Sequence, residues 1–310
     1  MSVVINTNVD SLKVQSNLAS ATNSLSKAME RMSTGLKVTN AKDDAAGTVI
    51  AARMTVQMNG NKIAQNNVQN GSAMLATAEG HLNVVEENLT RIRDLTLQAK
   101  NGTYSTEEKK AMQDEVSERI KEIDRISVSS KYSSLRLFGD TELDDDGKEK
   151  TGTDGKPKLQ NLAKDGATFQ VGANATTNDQ IKASESLFAS VKFTDLVKDG
   201  TTTTYANNEA FNISTMSAGQ LTSALKALDK GIDNLTNRKS ILGSAQNRLE
   251  SALDTLTTQY ENLSSAKSII TDADIAQEAS NFTQQNILQQ VSTSLLAQAN
   301  QAPSIALSLI

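Results

Sequence analysis

The sequence predicts a mainly α-helical protein, an elongated folded-back helical bundle or coiled coil with a small β-hairpin region in its centre. Three observations predict this fold class: one long stretch repeats an apolar residue at every seventh position, only 3% of the 310 residues are aromatic, and the chain contains two prolines. Compact mixed cores normally use more aromatic side chains, and long helices require that prolines be rare. The composition is therefore that of long helices packed along their length.

The repeating stretch has the pattern of a coiled-coil seam. Its positions are Leu221, Leu228, Leu235, Leu242, Leu249, Leu256, Leu263 and Ile270. A second, interrupted apolar row follows four residues later, as expected for heptad packing. About fifty residues at a rise of ~1.5 Å each give a helix of roughly 75 Å. A seam of that length must be covered by equally long helices, so we expect its leucines to lie in the core.

A shorter amphipathic helix is predicted at the start of the chain, from Val9 to Leu36. Leu18, Leu25 and Met32 fall on one face, and the opposite face carries Ser, Asn, Gln and Lys. A helix with one narrow stripe to bury has little reason to be stable alone. The polar run at 39–42 predicts a break after it.

Two further helices are predicted before residue 130. The first begins near Asp43 and Asp44, because acidic residues suit a helix N-terminus, and its pattern stops at 101–102. Ser105 and Glu108 have the spacing of a capping box, which predicts the start of the next helix. The inward positions of that helix are Met112, Val116, Ile120, Ile123 and Ile126.

The centre of the chain changes period. Leu135 and Leu137 alternate with polar neighbours, as do Phe169 and Val171, and this alternation predicts two short strands. The stretch that follows has no clear period. We therefore expect residues 139–218 to form an exposed, variable insert of short strands and loops.

A last helix follows the seam. Thr271 and Asp274 are predicted to cap it, and Pro303 is predicted to end it. Its apolar positions are Ile275, Ala279, Phe282, Leu288, Val291, Leu295 and Ala302. The mirrored layout predicts three parts. They are residues 1–43 with 272–310 as a terminal-helix domain, residues 44–138 with 219–271 as a coiled-coil domain, and residues 139–218 as the insert.

The residue types present argue against catalysis. The chain has no cysteine, which removes disulfides, thiolate metal sites and thiol nucleophiles. Its one histidine, His81, sits in a helical pattern and is interpreted as a helix-surface residue. We therefore predict that the protein is not an enzyme and has no catalytic residues, no cofactor and no metal site.

Charge and hydropathy limit the partners. A net charge of -5 with no basic stripe predicts no nucleic-acid partner. No stretch reaches the ~18 apolar residues of a membrane span, so we expect no membrane insertion. The first residues lack the basic and apolar regions of a secretory signal, and on composition alone the protein is predicted to be cytoplasmic.

Four stretches of the sequence resemble the bacterial flagellins. They are MSTGLKVTNAKDDAAGTVIAARM (32–54), NLTRIRDLTLQAKNGTYS (88–105), TDADIAQE (271–278) and ILQQVSTSLLAQANQAPSIALSLI (287–310). Four motifs in a fixed order are more specific than one. The resemblance covers about residues 1–138 and 219–310, and the centre matches no motif.

This resemblance implies a structural subunit that self-assembles into the flagellar filament for swimming motility. It implies an extracellular location, reached by export through the flagellar type III apparatus without a cleaved signal, and so replaces the cytoplasmic prediction. In the family the terminal helices form an inner domain and the long helices a surrounding tube. The implied partners are further copies of the chain in a helical homopolymer, an export chaperone, and the filament cap and junction proteins.

The residues expected to act in assembly lie on the two terminal helices, which we expect to order on polymerisation. They are Leu18, Leu25, Met32, Phe282, Leu288, Val291 and Leu295. Isolated helices are marginal in water, and folding coupled to association would oppose premature polymerisation. The leucines of the seam, Leu228, Leu235, Leu242, Leu249, Leu256 and Leu263, would make the tube domain rigid.

The resemblance also implies a contact with a Toll-like innate receptor through Arg91, Leu95 and Glu115. Receptor-binding flagellins carry Gln just before the arginine, where this chain has Thr90. The simpler interpretation is a solvated arginine that pairs with a carboxylate four residues away, Glu87.

Two alternatives remain open for the function. A hook-filament junction protein shares the terminal helices, although its tail usually departs from the LAQANQAPSIALSLI pattern found here. A cytoplasmic coiled-coil scaffold would use the same seam to form soluble dimers.

Overall fold

The computed structural model describes residues 7–133, 135–139, 162, 166–197 and 211–307. Its helices are α1 (Val9–Thr34), α2 (Ala45–Ala99), α3 (Thr106–Ser129), the short α4 (Phe193–Leu196), α5 (Ala218–Thr271) and α6 (Ile275–Leu307). Its strands are β1 (Lys131–Tyr132), β2 (Leu135–Arg136), β3 (Ala167–Gln170) and β4 (Gln180–Ala183). The mainly α fold class with hairpins in the centre is confirmed.

The strands form two separate antiparallel pairs. Lys131 pairs with Arg136 in the first, and Phe169 pairs with Ile181 in the second. The predicted strands at Leu135 and Phe169 are therefore present. Each ends one residue earlier than predicted, so Leu137 and Val171 lie just beyond the strand ends.

Helix ends follow the capping chemistry that the sequence predicts. The Ser105 hydroxyl accepts the N–H of Glu108 at 3.3 Å, and the Glu108 carboxylate accepts the N–H of Ser105 at 2.7 Å, which completes the capping box. Asp274 accepts the N–H groups of Ala276 and Gln277 at 2.9 and 3.2 Å. Both caps satisfy N–H groups that have no partner within the helix.

Pro303 does not end the last helix, and that prediction is wrong. α6 continues through residue 303 to Leu307. A proline removes one N–H from the helix, and this loss is tolerated where the affected carbonyl finds another donor. The carbonyl in question, that of Ala299, accepts a hydrogen bond from Asn8 at 2.8 Å.

The chain divides into two compact units. One, the terminal unit, comprises residues 1–59 and 259–310, and the other, the central unit, comprises residues 60–258. Helices α2 and α5 contribute residues to both.

In the terminal unit, the chain segments beside α1 and α6 are joined by backbone hydrogen bonds. Lys37 N–H donates to the carbonyl of Thr271 at 2.7 Å, and Ala273 N–H donates to the carbonyl of Gly35 at 2.9 Å. Gly35 has φ +70°, a left-handed conformation that suits glycine and ends α1. A one-bridge pairing thus ties the end of α1 to the beginning of α6.

The core of the central unit is formed by α2, α3 and α5 with the hairpin segment. α2 and α5 run antiparallel, since Glu79 meets Gln246 and Glu86 meets Lys239. The fully buried side chains of α2 and α3 recur at helical spacing. They include Leu75, Ala78, Leu82, Val85, Leu89, Ile92, Val116, Ile120 and Ile123.

Part of the insert of residues 139–218 is buried, so the prediction of an exposed insert is wrong for these residues. Several of its side chains are no more than 2% exposed: Leu187, Phe188, Val191, Phe193, Leu196, Val197, Phe211 and Ile213. They follow neither the helical nor the strand period, so the sequence pattern gave no sign of a core here. Phe193 and Phe211 meet edge to face, with ring centroids 5.1 Å apart.

Polar side chains of α3 and α5 hold this insert in place. Arg238 is largely buried and donates to the carbonyls of Ala189 and Ser190 at 3.0 and 3.3 Å. Its burial lowers the pKa of the guanidinium from its ordinary value. Asp124 accepts the N–H of Phe193, and so caps α4, at 3.0 Å. The insert is therefore bound into the central unit by specific hydrogen bonds as well as by apolar packing.

Candidate functional site

The paired terminal helices α1 and α6 are the strongest candidate for the functional surface. Four polar contacts join them: Asn8 to the Ala299 carbonyl (2.8 Å), Ser11 to Asn300 (2.8 Å), Gln289 to Thr22 (3.2 Å) and Arg31 to Glu278 (3.2 Å). Residue numbers rise along α1 as they fall along α6, so the two helices are antiparallel.

The face that α6 turns toward α1 is only partly apolar. Glu278 and Ser292 are the two buried residues of its described side chains, and Gln289 is half-buried. On α1, Ala21 and Ala28 are buried. Small residues at these positions let the two helices approach closely, but they bury little apolar area for each residue.

The structure divides the seven predicted assembly residues into two groups. Leu18, Leu25, Met32 and Phe282 are half-buried, whereas Leu288, Val291 and Leu295 are exposed by 43, 47 and 48%. The exposed three lie on one side of α6 together with Ile287, which is 56% exposed. We call these four residues the outer α6 face. Nothing in the described part of the chain covers it.

The terminal unit as a whole is rich in exposed apolar side chains. Among the described residues, thirteen of the eighteen exposed large apolar side chains belong to it. They are Val9, Leu12, Met29, Leu36, Val49, Ile50, Val56, Ile269, Ile275, Ile287, Leu288, Val291 and Leu295. Such a concentration is typical of a surface that another molecule covers.

Two of these positions, Val49 and Val56, were not predicted as assembly residues. They are 53 and 72% exposed and lie seven residues apart on α2, and Ile63, in the central unit, continues the same spacing. The signal was available in the sequence as a row of apolar residues seven positions apart, at 49, 56 and 63. It could not be recognised without knowing which side of α2 is buried.

The seam leucines take different environments along α5. Leu228, Leu235, Leu242, Leu249 and Leu256 are buried, and Leu263, in the terminal unit, is only half-buried. Beside the seam, Lys239 donates to Glu86 at 2.6 Å and Arg93 donates to Asp229 at 2.5 Å. These pairs flank the apolar row as the charged positions of a coiled coil do.

The predicted receptor residues Arg91 and Glu115 form an ion pair across α2 and α3. Two guanidinium nitrogens of Arg91 donate to the two carboxylate oxygens of Glu115 at 2.9 and 3.2 Å, and Arg119 donates to the same carboxylate at 3.0 Å. The partner of Arg91 is therefore Glu115, and the expected pairing with Glu87 is wrong. The fork geometry of the guanidinium matches a carboxylate better than the i, i+4 arrangement allows.

Hydrogen bonding at this pair shifts the pKa of both partners. The bond from Arg91 lowers the pKa of the Glu115 carboxyl below its ordinary value, and the bond from Arg119 lowers it further. Leu95, the third predicted receptor residue, is 3% exposed and offers almost no surface. A groove of about 480 Å³ adjoins the pair and is lined by Asn83, Glu86, Glu87, Thr90, Arg91, Asp94 and Arg119.

The described residues also bear on metal binding and membranes. Among them, no cluster of three His, Cys, Asp or Glu side chains could hold a metal ion. His81 is half-buried on α2, and its burial, followed by the nearby charge of Arg125, lowers its pKa. None of the helices in the described ranges is long and apolar enough to cross a membrane.

Comparison with known proteins places both ends of the chain in one family. The model of the bacterial flagellin N-terminal helical region matches residues 5–142, and that of the bacterial flagellin C-terminal helical region matches residues 225–310. The flagellin of Xenorhabdus nematophila is 37% identical, with 100% of each chain covered. The flagellin of Bacillus subtilis is 35% identical, with 99% of each chain covered.

A solved structure shares the fold. The structure of a protein described as flagellar hook-associated, from Vibrio parahaemolyticus, has a TM-score of 0.55 and 14% sequence identity. It covers 74% of this chain and 99% of that one. At this identity the likeness concerns the fold alone.

Proposed function

The chain belongs to the bacterial flagellins, and from that membership we propose that the pair α1–α6 joins its copies to one another through the outer α6 face. As a flagellin, the protein is a structural subunit of the flagellar filament and part of that extracellular polymer. The proposal concerns which residues carry the assembly.

The exposure of Ile287, Leu288, Val291 and Leu295 is the observation that carries this proposal. Each leaves between 43 and 56% of its surface in water in the single chain. Removing apolar surface from water contributes roughly 25 cal/mol for each Å². A neighbouring subunit that covered all four would thus stabilise the assembled state by several kcal/mol, at about 1 kcal/mol for each side chain.

The same argument favours ordering of the terminal helices on polymerisation. α1 and α6 bury mainly alanine, serine and polar side chains against each other, which offsets little of the conformational entropy lost on folding. Contact with neighbouring subunits would provide the missing burial. Repeated head-to-tail contacts that do not close give an open helical filament.

The remaining parts of the role follow from family membership. We infer that residues 1–43 with 272–310 form the inner domain, that residues 44–138 with 219–271 form the tube domain, and that residues 139–218 lie on its outer side. The chain would be exported through the flagellar type III apparatus without a cleaved signal. It would meet an export chaperone, the filament cap and the junction proteins, serve swimming motility, and catalyse no reaction.

Polymerisation of purified protein tests the outer α6 face. We expect the triple variant Leu288→Gln, Val291→Gln and Leu295→Gln to raise the critical concentration for seeded filament growth by more than about tenfold, because the apolar contact is lost. Val128→Gln is the matched control, since Val128 is 49% exposed but lies in the central unit. Filaments of the triple variant that grow at the concentration of the parent would overturn the proposal.

Removal of the whole last helix is a second test. We expect a chain that lacks 272–310 to be soluble and helical, because its central unit keeps its own core, and to form no filaments. Normal filaments of this truncation in electron micrographs would contradict the proposed role. Assembly of the full-length chain that stops after a short junction would instead support the hook-filament junction alternative.

A receptor contact at Arg91 and Glu115 is a further proposal. The pair is partly exposed, with 46 and 36% of the two side chains in water. Leu95 is buried in the core and would act only by packing beneath α2. Arg91→Ala should then reduce activation of the Toll-like receptor by monomeric protein. Lys110→Ala, which removes an exposed cation of α3, should not. Equal activation by Arg91→Ala and the parent would reject the assignment.

A further inference from the structure

The beginning of α1 and the last turns of α6 share one side chain, that of Asn8. Its Oδ1 accepts the N–H of Ser11 at 3.0 Å, which caps α1. Its Nδ2 donates to the carbonyl of Ala299 on α6 at 2.8 Å. An amide carries both an acceptor and donors, so one residue can make both hydrogen bonds at once.

The carbonyl of Ala299 differs from its neighbours in α6. In an α-helix it would accept the N–H of the residue four positions later, which is residue 303. That residue is Pro303, and proline has no N–H. Since α6 continues to Leu307, the Ala299 carbonyl is one that lies before the last turn of the helix and still lacks its regular backbone donor. The amide of Asn8 donates to that carbonyl.

We propose that Asn8 is a positioning residue that sets the register of α1 against α6 by recognising the carbonyl that Pro303 leaves without its helical partner. The proposal rests on the proposed function, because the register matters if this pair is the assembling element. A slip of one turn, ~5.4 Å, would set Asn8 against a carbonyl that already has a backbone donor. It would also leave the Ala299 carbonyl without one, which costs free energy where water is excluded.

Two of the other three polar contacts between the helices are less selective, and the third, the Arg31–Glu278 ion pair, lies at the opposite end of the pair. Thr22 with Gln289 and Ser11 with Asn300 join exposed, uncharged side chains, and α6 offers many Gln, Asn and Ser residues that could replace these partners after a slip. Pro303 is the only proline within the helix, so the carbonyl it affects occurs once. A unique acceptor can specify a unique register.

Disulfide cross-linking can measure the register directly, because the chain has no cysteine of its own. Ser11→Cys with Asn300→Cys reports the register described above, since these two side chains are in contact. Ser11→Cys with Leu296→Cys reports a slip of about one turn. Both pairs are oxidised in the soluble chain and in seeded filaments, and the yields of the two intrachain cross-links are compared.

Asn8→Asp isolates the proposed donor. Asp caps a helix as well as Asn does, so the bond to Ser11 is kept, but its carboxylate cannot donate to the Ala299 carbonyl. We expect the ratio of in-register to slipped cross-link to fall about fivefold or more, the effect of losing one neutral hydrogen bond. Pro303→Ala should lower the ratio too, because it returns an N–H to residue 303. Thr22→Ala, the control within the same helix pair, should leave the ratio unchanged.

The outcomes separate this inference from the proposed function. An unchanged ratio in Asn8→Asp, or no Ser11–Asn300 cross-link in either the soluble chain or the filaments, overturns the inference. If the double-cysteine chain that keeps Asn8 cross-links in register but does not polymerise, the proposed function alone is contradicted. If the double-cysteine chains that keep Asn8 polymerise and give the two cross-links in equal yield, the inference alone is contradicted.

Discussion

Phe169 of β3 lies directly over Gly71 of α2. A Cβ atom added at residue 71 would come within 2.7 Å of the Phe169 ring, and one added at Gly60 would come within 2.7 Å of the Ala173 side chain. Both distances are shorter than van der Waals contact. The second hairpin therefore packs against a flat stretch of α2 that exists because two glycines replace side chains there.

Gly71→Ala should destabilise the central unit. Alanine normally favours a helix over glycine by about 0.5–1 kcal/mol, but here the added methyl group must displace Phe169, and overpacking of this kind costs typically 1–3 kcal/mol. We expect a net loss of about 1 kcal/mol. Urea unfolding followed by circular dichroism measures it.

Gly80→Ala is the matched control for this substitution. It lies on the same helix, and a Cβ there would meet nothing within 4 Å. It should stabilise the fold by about 0.5–1 kcal/mol. If the two alanine variants shift the urea midpoint equally, Phe169 does not pack tightly against Gly71.

The ion pair of Arg91 with Glu115 should make stability depend on pH. Because the folded-state pKa of Glu115 is lowered, the pair stabilises the fold fully above the ordinary carboxyl pKa of 4.5, and this stabilisation is lost as the pH falls through the folded-state pKa. The difference in unfolding free energy between the parent and Glu115→Gln should therefore be largest near neutral pH and shrink in acid.

Glu87→Gln controls for the change of charge, since Glu87 lies in the same groove but is not the partner of Arg91. The pair is partly exposed, so we also expect salt to reduce the effect of Glu115→Gln. If the difference in unfolding free energy between the parent and Glu115→Gln grew in acid, the stabilising role of the Arg91–Glu115 pair would be contradicted.

The effects of substituting Arg31 and Glu278 on filament stability should not be additive. Only 11% of the Glu278 side chain is exposed, so Arg31→Met would leave a largely buried carboxylate without its cation and lower the melting temperature of filaments. Arg31→Met combined with Glu278→Gln should recover much of the loss, because the double variant has no unpaired charge. Losses that simply add in the double variant would show that the two residues act independently.

The sequence alone was sufficient for the helices and their caps. A sevenfold repeat of leucine, a capping box at Ser105 and the acidic residue Asp274 act within a few turns of the chain, so their physical consequences can be read locally. The α class, the central hairpins and the family follow from such local patterns. They also predict the helix that contains Leu288, Val291 and Leu295.

Local patterns failed where distant residues decide the outcome. Phe188, Phe193 and Phe211 have no common period, and only the folded chain shows that they are fully buried. The partner of Arg91 comes from another helix, so the nearby Glu87 was a misleading choice. Pro303 should end a helix by local rules, yet the side chain of Asn8, almost three hundred residues away, supplies a donor to the affected carbonyl.

The sequence by itself therefore determined that this protein consists of long helices with apolar stripes and terminal segments of the flagellin type. The tertiary structure decided which side of each stripe is covered within the chain. On α6 the inward side is the one that carries Glu278, Gln289 and Ser292, and the outer α6 face is left in water. Periodicity records that a helix has an apolar side, but the direction of that side depends on the helix packed against it.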